Sequence, residues 1–184
     1  MSSTRSGGRS AVVRARVLAA TRELVLAHGA HNVRIPEIAQ RAGVAATSIY
    51  RRWGDVSTLL LDMAVERLTL HRALPDEGSL EGDLKRWGSS IALGVNAAEE
   101  PTFLRILFAT SDVAPEKRLS MLTPRLEQID AMLERGRARG EKTPALEAVI
   151  DHLLAPLYMR ALLGLQVDET LAGRLVDRLL DLPA

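Results

Sequence analysis

Residues 35–53 read IPEIAQRAGVAATSIYRRW, the pattern of two short helices joined at a glycine. Apolar residues recur there every three or four positions, which places them on one helix face that must be buried: Ile35, Ile38, Ala39 and Ala42. Pro36 suits a first helical turn, where its missing N–H has no partner, and Gly43 can take the left-handed conformation that ends a helix. The spacing predicts a first helix from about Ile35 or Pro36 and a second from about Ala46.

The second helix has two unlike sides. Val44 and Ile49 supply apolar contacts, whereas the opposite side carries hydroxyl and guanidinium groups: Thr47, Ser48, Tyr50, Arg51 and Arg52. Such groups bind phosphates and base edges, so the segment is interpreted as a DNA-reading helix-turn-helix. The alternative is a glycine-linked helix pair of an ordinary helical protein that happens to carry arginines.

The distribution of charge favours DNA binding. Residues 1–60 hold nine arginines and three acidic residues, a net charge of +6, while residues 61–184 carry a net charge of −5. The overall charge of +1 therefore conceals a molecule with one end suited to a polyanion.

From about Arg14 to Arg67 the chain resembles the N-terminal domain of the TetR family of bacterial transcriptional repressors. The matching segments are RARVLAATRELVLAHG, VRIPEIAQRAGV, AATSIYRRW and GDVSTLLLDMAVERL, and the aligned residues include Ala20, Gly29, Ile38, Ala39, Ala42, Gly43, Val44, Tyr50 and Leu59. The resemblance implies an all-α protein in which a helix-turn-helix domain precedes a helical bundle for ligand binding and dimerisation. The expected organisation is a disordered basic tail over residues 1–10, a DNA-binding domain over 11–56 and a regulatory domain over 57–184.

The resemblance also implies roles for particular residues in DNA binding. The amino-terminal end of the recognition helix, which enters the major groove, presents Ala45, Ala46, Thr47 and Ser48. Tyr50 is expected to hold a backbone phosphate, with Arg51 and Arg52 as phosphate or base contacts; the alternatives are a half-buried packing role for Tyr50 and a solvated face for the arginine pair. Arg34 stands where many members have a threonine near a phosphate, so it is expected to keep the contact but lose the helix cap.

Two positions depart from the family pattern. Ala46 and Val56 replace lysines found in many relatives. Nonspecific affinity is therefore expected to depend more on Arg5, Arg9, Arg14 and the arginine pair.

Beyond residue 60 the apolar spacing predicts helices throughout. The fourth helix is expected to end near Arg72, and further helices are expected over about 80–96, 101–111, from 115 or 116 to 134, over 146–165, and after a cap at Asp168. The segment RGRARGEKTP, residues 135–144, is interpreted as a turn.

The last two predicted helices carry more apolar residues than one internal face requires. We expect them to form a four-helix interface in a homodimer through Leu153, Leu157, Leu171, Leu175 and Leu179, which is also how TetR-like proteins pair. The alternative is that they close the core of the monomer. A two-fold dimer presents recognition helices about 34–36 Å apart and implies a near-palindromic operator.

In TetR-like proteins a ligand in the C-terminal domain releases the operator. The candidate lining here is apolar, which suggests a small, mainly apolar effector: Trp87, Ile91, Phe103, Leu107, Phe108, Met121, Met132, Tyr158 and Met159. The alternative for each of these residues is plain core packing.

Other classes of protein find little support in the sequence. Histidines 28, 31, 71 and 152 lack metal-site spacing, Glu99 and Glu100 are interpreted as surface charge, and the chain has no cysteine or phosphate-binding glycine loop. No enzyme activity, cofactor or metal is expected. The apolar runs are too short to span a membrane and the opening MSSTRSGGRS lacks a signal-peptide core, so we expect a cytoplasmic protein. The remaining alternative, which Ala45 and Ala46 leave open, is a helical ligand-binding or scaffolding protein that has lost specific DNA binding.

Overall fold

The computed structural model describes residues 5–69, 74–110 and 112–182, and within these ranges the regular elements are all helical. They are α1 (Arg5–His28), a 3-10 turn (Ala30–Asn32), α2 (Ile35–Ala42), α3 (Ala46–Trp53), α4 (Val56–Thr69), α5 (Leu80–Val95), α6 (Glu100–Ala109), α7 (Pro115–Ala138), α8 (Leu146–Val149), a π-helical segment (Ile150–Leu154), α9 (Ala155–Leu162) and α10 (Glu169–Asp181). The all-α prediction is confirmed. The predicted end of the fourth helix near Arg72 lies outside the described residues.

The amino-terminal segment differs from the prediction of a disordered tail. Residues 5–10 are the first part of α1, whereas residues 1–4 lie outside the described ranges. A helix that is already formed gains one backbone hydrogen bond for each residue added, so α1 extends through Ser and Gly residues of low helix propensity.

The chain divides into two compact units. The first contains residues up to Arg67 together with Ile106–Arg118, and the second contains Leu68–Arg105 and Leu119–Ala184. The predicted domain boundary after residue 56 falls inside the first unit. Most of α4 belongs there because its Asp62 is bonded to both α1 and α3, as described below.

The first unit contains the predicted helix-turn-helix with its predicted boundaries. The apolar face of α2 is buried as expected through Ile35, Ile38, Ala39 and Ala42. Gly43 ends α2 in the left-handed conformation, with φ 63° and ψ 44°. A side chain there would be strained by this φ, and its Cβ would also lie 2.7 Å from the Arg16 guanidinium. The positive φ is what requires glycine here, because the end of the flexible Arg16 side chain could move away from a Cβ.

The core of the second unit lies where α5 and α10 pack along one another. Gly88 lets the helices approach closely, since a Cβ on it would lie 3.3 Å from Ala172. Ser79 caps α5 by accepting from the Gly82 N–H at 3.1 Å, and Asp168 caps α10 as predicted, accepting from the Leu171 N–H at 2.7 Å.

The helix predicted over residues 146–165 ends earlier, at Leu162, and changes its bonding pattern in the middle. Residues Ile150–Leu154 form a π-helical turn between α8 and α9. Pro156 lies two residues after this turn and has no N–H to donate to the carbonyl of residue 152, so one α-helical hydrogen bond is missing here.

Two predictions about charged residues in the second unit are wrong. Arg135 and Arg137 belong to the last turn of α7 rather than to a turn that begins at residue 135. Arg135 lies 3.7 Å from the fully buried Asp83 and donates to the Pro75 carbonyl at 2.7 Å, contacts that stabilise the end of the helix. Glu100, interpreted as surface charge, is buried in the first turn of α6, while Glu99 is half-buried.

Candidate nucleic-acid interface

The recognition helix α3 presents its polar residues to solvent from a buried apolar base. Ile49 and Trp53 are buried in the first unit, whereas Tyr50 is 49% exposed. Thr47, Arg51 and Arg52 are exposed as well, and Ala46 and Ser48 are half-buried. The surface that α3 offers therefore contains hydroxyl and guanidinium groups, the chemistry that phosphates and base edges accept.

The amino-terminal end of α3 has no side-chain cap. Ala45, in the capping position, is exposed and extended, and its carbonyl accepts from the Ser48 N–H at 2.9 Å. A helix that starts without a capping side chain leaves backbone N–H groups, and the positive end of its dipole, open to an outside anion. Ala45 thus leaves the N–H groups at the start of α3 without a side-chain cap.

Arg34 precedes α2 and makes no capping bond, as its sequence position suggested. Its guanidinium donates to the carbonyls of His31 at 2.8 Å and Val33 at 3.1 Å. The exposed side chain is therefore held against the turn that enters α2.

The arginine pair of α3 is not equivalent. Arg52 donates to the Ser10 hydroxyl at 2.9 Å and lies over the Trp53 ring, with its guanidinium carbon 5.4 Å from the ring centre. Arg51 is exposed and has no bonding partner within the described residues. Arg52 thus links α3 to α1, while Arg51 remains available to a ligand outside the chain.

Several other arginines of the positive end have internal partners. Arg14 binds Asp62 at 2.6 Å and Glu66 at 3.1 Å, Arg16 donates to the Ala42 carbonyl at 2.5 Å, and Arg41 binds Glu23 at 2.6 Å. Burial opposes the charged form of Arg14, but the hydrogen bond to Asp62 and the charges of Asp62 and Glu66 outweigh it, so the pKa of Arg14 is raised. The expectation that Arg14 supplies nonspecific affinity is therefore corrected. Of Arg5 and Arg9, only the helical backbone is described.

The sequence reasoning missed the residues that fix the carboxyl-terminal end of α3. The Trp53 indole donates to Asp62 at 2.8 Å, and Lys117 in the first turn of α7 donates to the Trp53 carbonyl at 2.8 Å. An aspartate within an apolar helix was a signal for the first contact, because a carboxylate next to a buried tryptophan needs partners. No local sequence signal connects Lys117 with Trp53, 64 residues away.

Of the residues predicted to line an effector site, Trp87, Ile91 and Met132 share one core cluster, and Tyr158 packs against it. Trp87, Ile91, Phe103 and Met132 are buried, Leu107, Met121 and Tyr158 are half-buried, and Phe108 and Met159 are each 46% exposed. Leu107 and Phe108 belong to the first unit and the others to the second. A pocket of about 370 Å³ in the second unit contains none of them, and is lined by Arg137, Lys142, Thr143, Pro144, Ala145, Ala148, Leu179, Leu180 and Leu182.

Most residues predicted to form a dimer interface are instead core residues of their own chain. Leu153, Leu157, Leu175 and Leu179 are buried in the second unit, and Leu171 is half-buried. The spacing of apolar residues correctly predicted apolar helix faces. In the structure, however, these leucines pack in the core of their own chain, against α5. The apolar residues left partly exposed on this part of the chain include Leu154, Tyr158, Ala161, Met159, Leu163 and Leu165.

The described residues show neither a candidate metal site nor a helix suited to a membrane. No cluster of three or more histidine or acidic side chains there is arranged to hold a metal ion. None of the helices in the same ranges combines the length and apolar character needed to cross a membrane.

Comparison with known proteins gave consistent matches. Residues 17–63 match the model described as "Bacterial regulatory proteins, tetR family", and residues 74–179 match "Tetracyclin repressor-like, C-terminal domain". The HTH-type transcriptional regulator AqdR of Rhodococcus erythropolis is 32% identical over 143 residues, covering 76% of this chain and 69% of AqdR. The HTH-type regulator YdeS of Bacillus subtilis is 28% identical over 87% of this chain and 84% of YdeS.

Solved structures agree with these matches. The TetR family transcription regulator SCO0332 has a TM-score of 0.73 and 26% identity, over 92% of this chain and 97% of that one. A TetR transcriptional regulator from Rhodococcus sp. RHA1 has a TM-score of 0.68 over 96% of this chain and 100% of that one; at 20% identity it supports the fold alone.

Proposed function

The chain belongs to the TetR family of transcriptional regulators, and we propose that it acts as a homodimeric repressor that binds a near-palindromic operator and is released by a small, mainly apolar effector. Membership of the family makes it a DNA-binding regulator with a helix-turn-helix, and this family is not a class of enzymes. The observation that carries the proposal is the exposed polar surface of α3 above its buried Ile49 and Trp53.

The proposed contacts divide into two groups. Thr47 and Ser48, with the backbone around Ala45 and Ala46, are proposed to meet base edges, while Tyr50, Arg51, Arg52 and Arg34 are proposed to meet phosphates. Arg51 is the best placed of the cations, because it is exposed and uncommitted within the described residues. Arg34 and Arg52 have partners that are carbonyl or hydroxyl groups, which a phosphate can displace or share.

The test is selection of bound sequences from a random duplex pool, followed by salt titration on the best sequence. A two-fold dimer should select an inverted repeat, and log K should fall by about 0.9 per phosphate contact for each unit of log salt. Thr47→Ala should change the selected bases, at about 1–3 kcal/mol for each lost base contact. Failure of the wild-type protein to enrich any sequence would favour the ligand-binding or scaffolding alternative.

Dimerisation is proposed through apolar residues in and around α9 that their own chain leaves partly exposed. Leu154, Tyr158 and Ala161 follow one another at spacings of four and three, and Leu163 and Leu165 are among the most exposed large apolar residues described. Burying these residues against a partner would remove apolar surface from water. Sedimentation of the wild-type protein at micromolar concentration should show a dimer, and Leu163→Glu should shift it towards monomer.

The effector is proposed to bind in the second unit near Trp87. Trp87 is buried, and its indole N–H has no acceptor within the described residues. A buried donor without a partner costs about 1–3 kcal/mol, which a ligand that brings an acceptor would recover. An effector identified by release of the operator should therefore bind Trp87→Phe more weakly, and equal binding to both proteins would place its site elsewhere.

A further inference from the structure

The first turn of α7 belongs to the DNA-binding unit and bonds to the ends of two helices there. Lys117 donates to the Trp53 carbonyl at 2.8 Å, and Trp53 is the last residue of the recognition helix. The adjacent Arg118 donates to the Leu107 carbonyl at 2.9 Å and to the Thr110 carbonyl, at the end of α6. Two neighbouring cations thus satisfy carbonyl groups that helix ends leave without helical partners.

The Lys117 contact completes the attachment of Trp53. The Trp53 indole is held by Asp62 of α4, and the Trp53 backbone carbonyl is held by Lys117 of α7. The neighbouring Gly54 N–H bonds back to the Tyr50 carbonyl at 2.8 Å, which closes the last turn of α3. Side chain and main chain of one residue are therefore held from two directions.

We propose that Lys117 is a positioning residue for DNA recognition, which sets the orientation of α3 by holding its carboxyl-terminal carbonyl. An eight-residue helix is about 12 Å long, so a displacement at one end is carried to the residues at the other. Thr47 and Ser48 lie at that other end. The inference rests on the proposed reading of operators through α3, and it assigns to Lys117 a contact with protein rather than with phosphate.

The experiment compares Lys117→Met and Lys117→Arg on the operator selected with the wild-type protein. Lys117→Met should weaken operator binding about threefold to tenfold, the effect of one charged hydrogen bond at a helix end, with the salt slope unchanged. Lys117→Arg should restore affinity to within about twofold, because a guanidinium can donate to the same carbonyl. Should the methionine protein fail to fold, Lys117→Gln replaces it: a neutral amide bonds the carbonyl more weakly than an ammonium group, so its affinity should fall below that of Lys117→Arg.

Lys142 offers a matched control. It donates to the carbonyls of Leu182 at 2.7 Å and Leu180 at 3.2 Å, at the end of α10 in the second unit. Lys142→Met removes the same kind of contact and should leave operator affinity unchanged.

Three outcomes would overturn the inference. Wild-type affinity in a folded Lys117→Met protein would show that the contact does not position α3. A salt slope smaller by about 0.9 would instead identify Lys117 as a phosphate contact. The two failures can be told apart. If the wild-type protein selects no operator, the proposed function fails and this inference fails with it; if it selects one and Lys117→Met binds that operator equally well, only this inference fails.

Discussion

Each of the two units contains an aspartate that binds partners from distant parts of the chain, Asp62 in the first and Asp83 in the second, and the two sites differ in geometry. Asp62 of the first unit is 14% exposed and accepts short hydrogen bonds from Arg14, at 2.6 Å, and from the Trp53 indole, at 2.8 Å. Asp83 of the second unit is fully buried and accepts at 2.6 Å from the Glu77 N–H. Its other oxygen faces the guanidinium groups of Arg135 and Arg139 at 3.7 and 3.6 Å.

The difference shows two uses of a carboxylate. Asp62 makes direct, directional bonds that fix one residue, Trp53, at the end of the recognition helix. Asp83 accepts one short hydrogen bond and makes two longer ion pairs, with the partly exposed Arg135 and Arg139. These pairs connect the end of α7 with the start of α5. Geometry at the first site should therefore be sensitive to any change, while the second site should tolerate the loss of one cation better.

The largest effect is expected from Asp62→Ala, which removes two short bonds at once. We expect the free energy of unfolding of the first unit to fall by about 3 kcal/mol, since each hydrogen bond to a charged group contributes about 1.5–3 kcal/mol and the site is partly exposed. The chain has two tryptophans, one in each unit, so urea unfolding followed by Trp53 fluorescence in a Trp87→Phe background reports the first unit.

Asp62→Asn is the matched control for this experiment. It keeps an oxygen that can accept from the indole but loses the charge that attracts Arg14, so its loss of stability should be intermediate. Equal losses in the two variants would mean that the Trp53 bond contributes nothing measurable.

A smaller effect is expected from Arg135→Met in the second unit. Removing one partner of a fully buried ion pair costs about 3–5 kcal/mol, but Arg135 is 36% exposed and Arg139 remains, so we expect about 1–2 kcal/mol. Trp87 fluorescence in a Trp53→Phe background measures it. Arg137→Met, which removes a solvent-exposed pair with Glu134 on the same helix, should change stability by less than about 0.5 kcal/mol.

The two aspartates also show how far the sequence could predict this molecule. The approximate bounds of the helix-turn-helix were predictable because the spacing of apolar residues, the proline and the glycine all act locally, within residues 35–53. The arginine partners of Asp62 and Asp83 lie 48 and more than 50 residues away from them, and no local pattern relates these residues. For the same reason the count of arginines in the first 60 residues overstated the charge available to DNA, because Arg14, Arg16 and Arg41 have partners inside the protein.

Apolar periodicity was similarly limited. It predicted that Leu153, Leu157, Leu175 and Leu179 share buried faces, which is confirmed, but it does not distinguish burial in the same chain from burial in a partner. That distinction depends on which helix packs on which. Sequence spacing alone does not contain this information.

A third, smaller effect is expected on DNA affinity, from an exposed residue of the first unit. Tyr50→Phe should weaken binding to all duplexes alike by about 1 kcal/mol, one phosphate hydrogen bond, with no change in stability because the side chain is half exposed. Filter binding to the selected operator and to random duplex measures both affinities. A loss confined to the operator would assign Tyr50 to base reading instead.

The smallest expected effect is a loss of stability in acid, which we expect in the second unit from Glu141 and not in the first unit from Arg14. In the second unit, the pKa of Glu141 is lowered, first by the hydrogen bond from Arg139 and then by that from the Leu80 N–H. In the first unit, the pKa of Arg14 is raised, so Arg14 stays charged at every pH of the experiment. A lowered carboxyl pKa stabilises the fold above the unfolded value of about 4.3, and this contribution is lost as pH falls through the folded pKa. The urea midpoint of unfolding measured by Trp87 fluorescence should therefore fall below about pH 5. The fall should be smaller in Glu141→Gln. It should also be smaller in high salt, which screens the Arg139–Glu141 pair. An identical decline in Glu141→Gln would assign the acid sensitivity of this unit to other carboxylates.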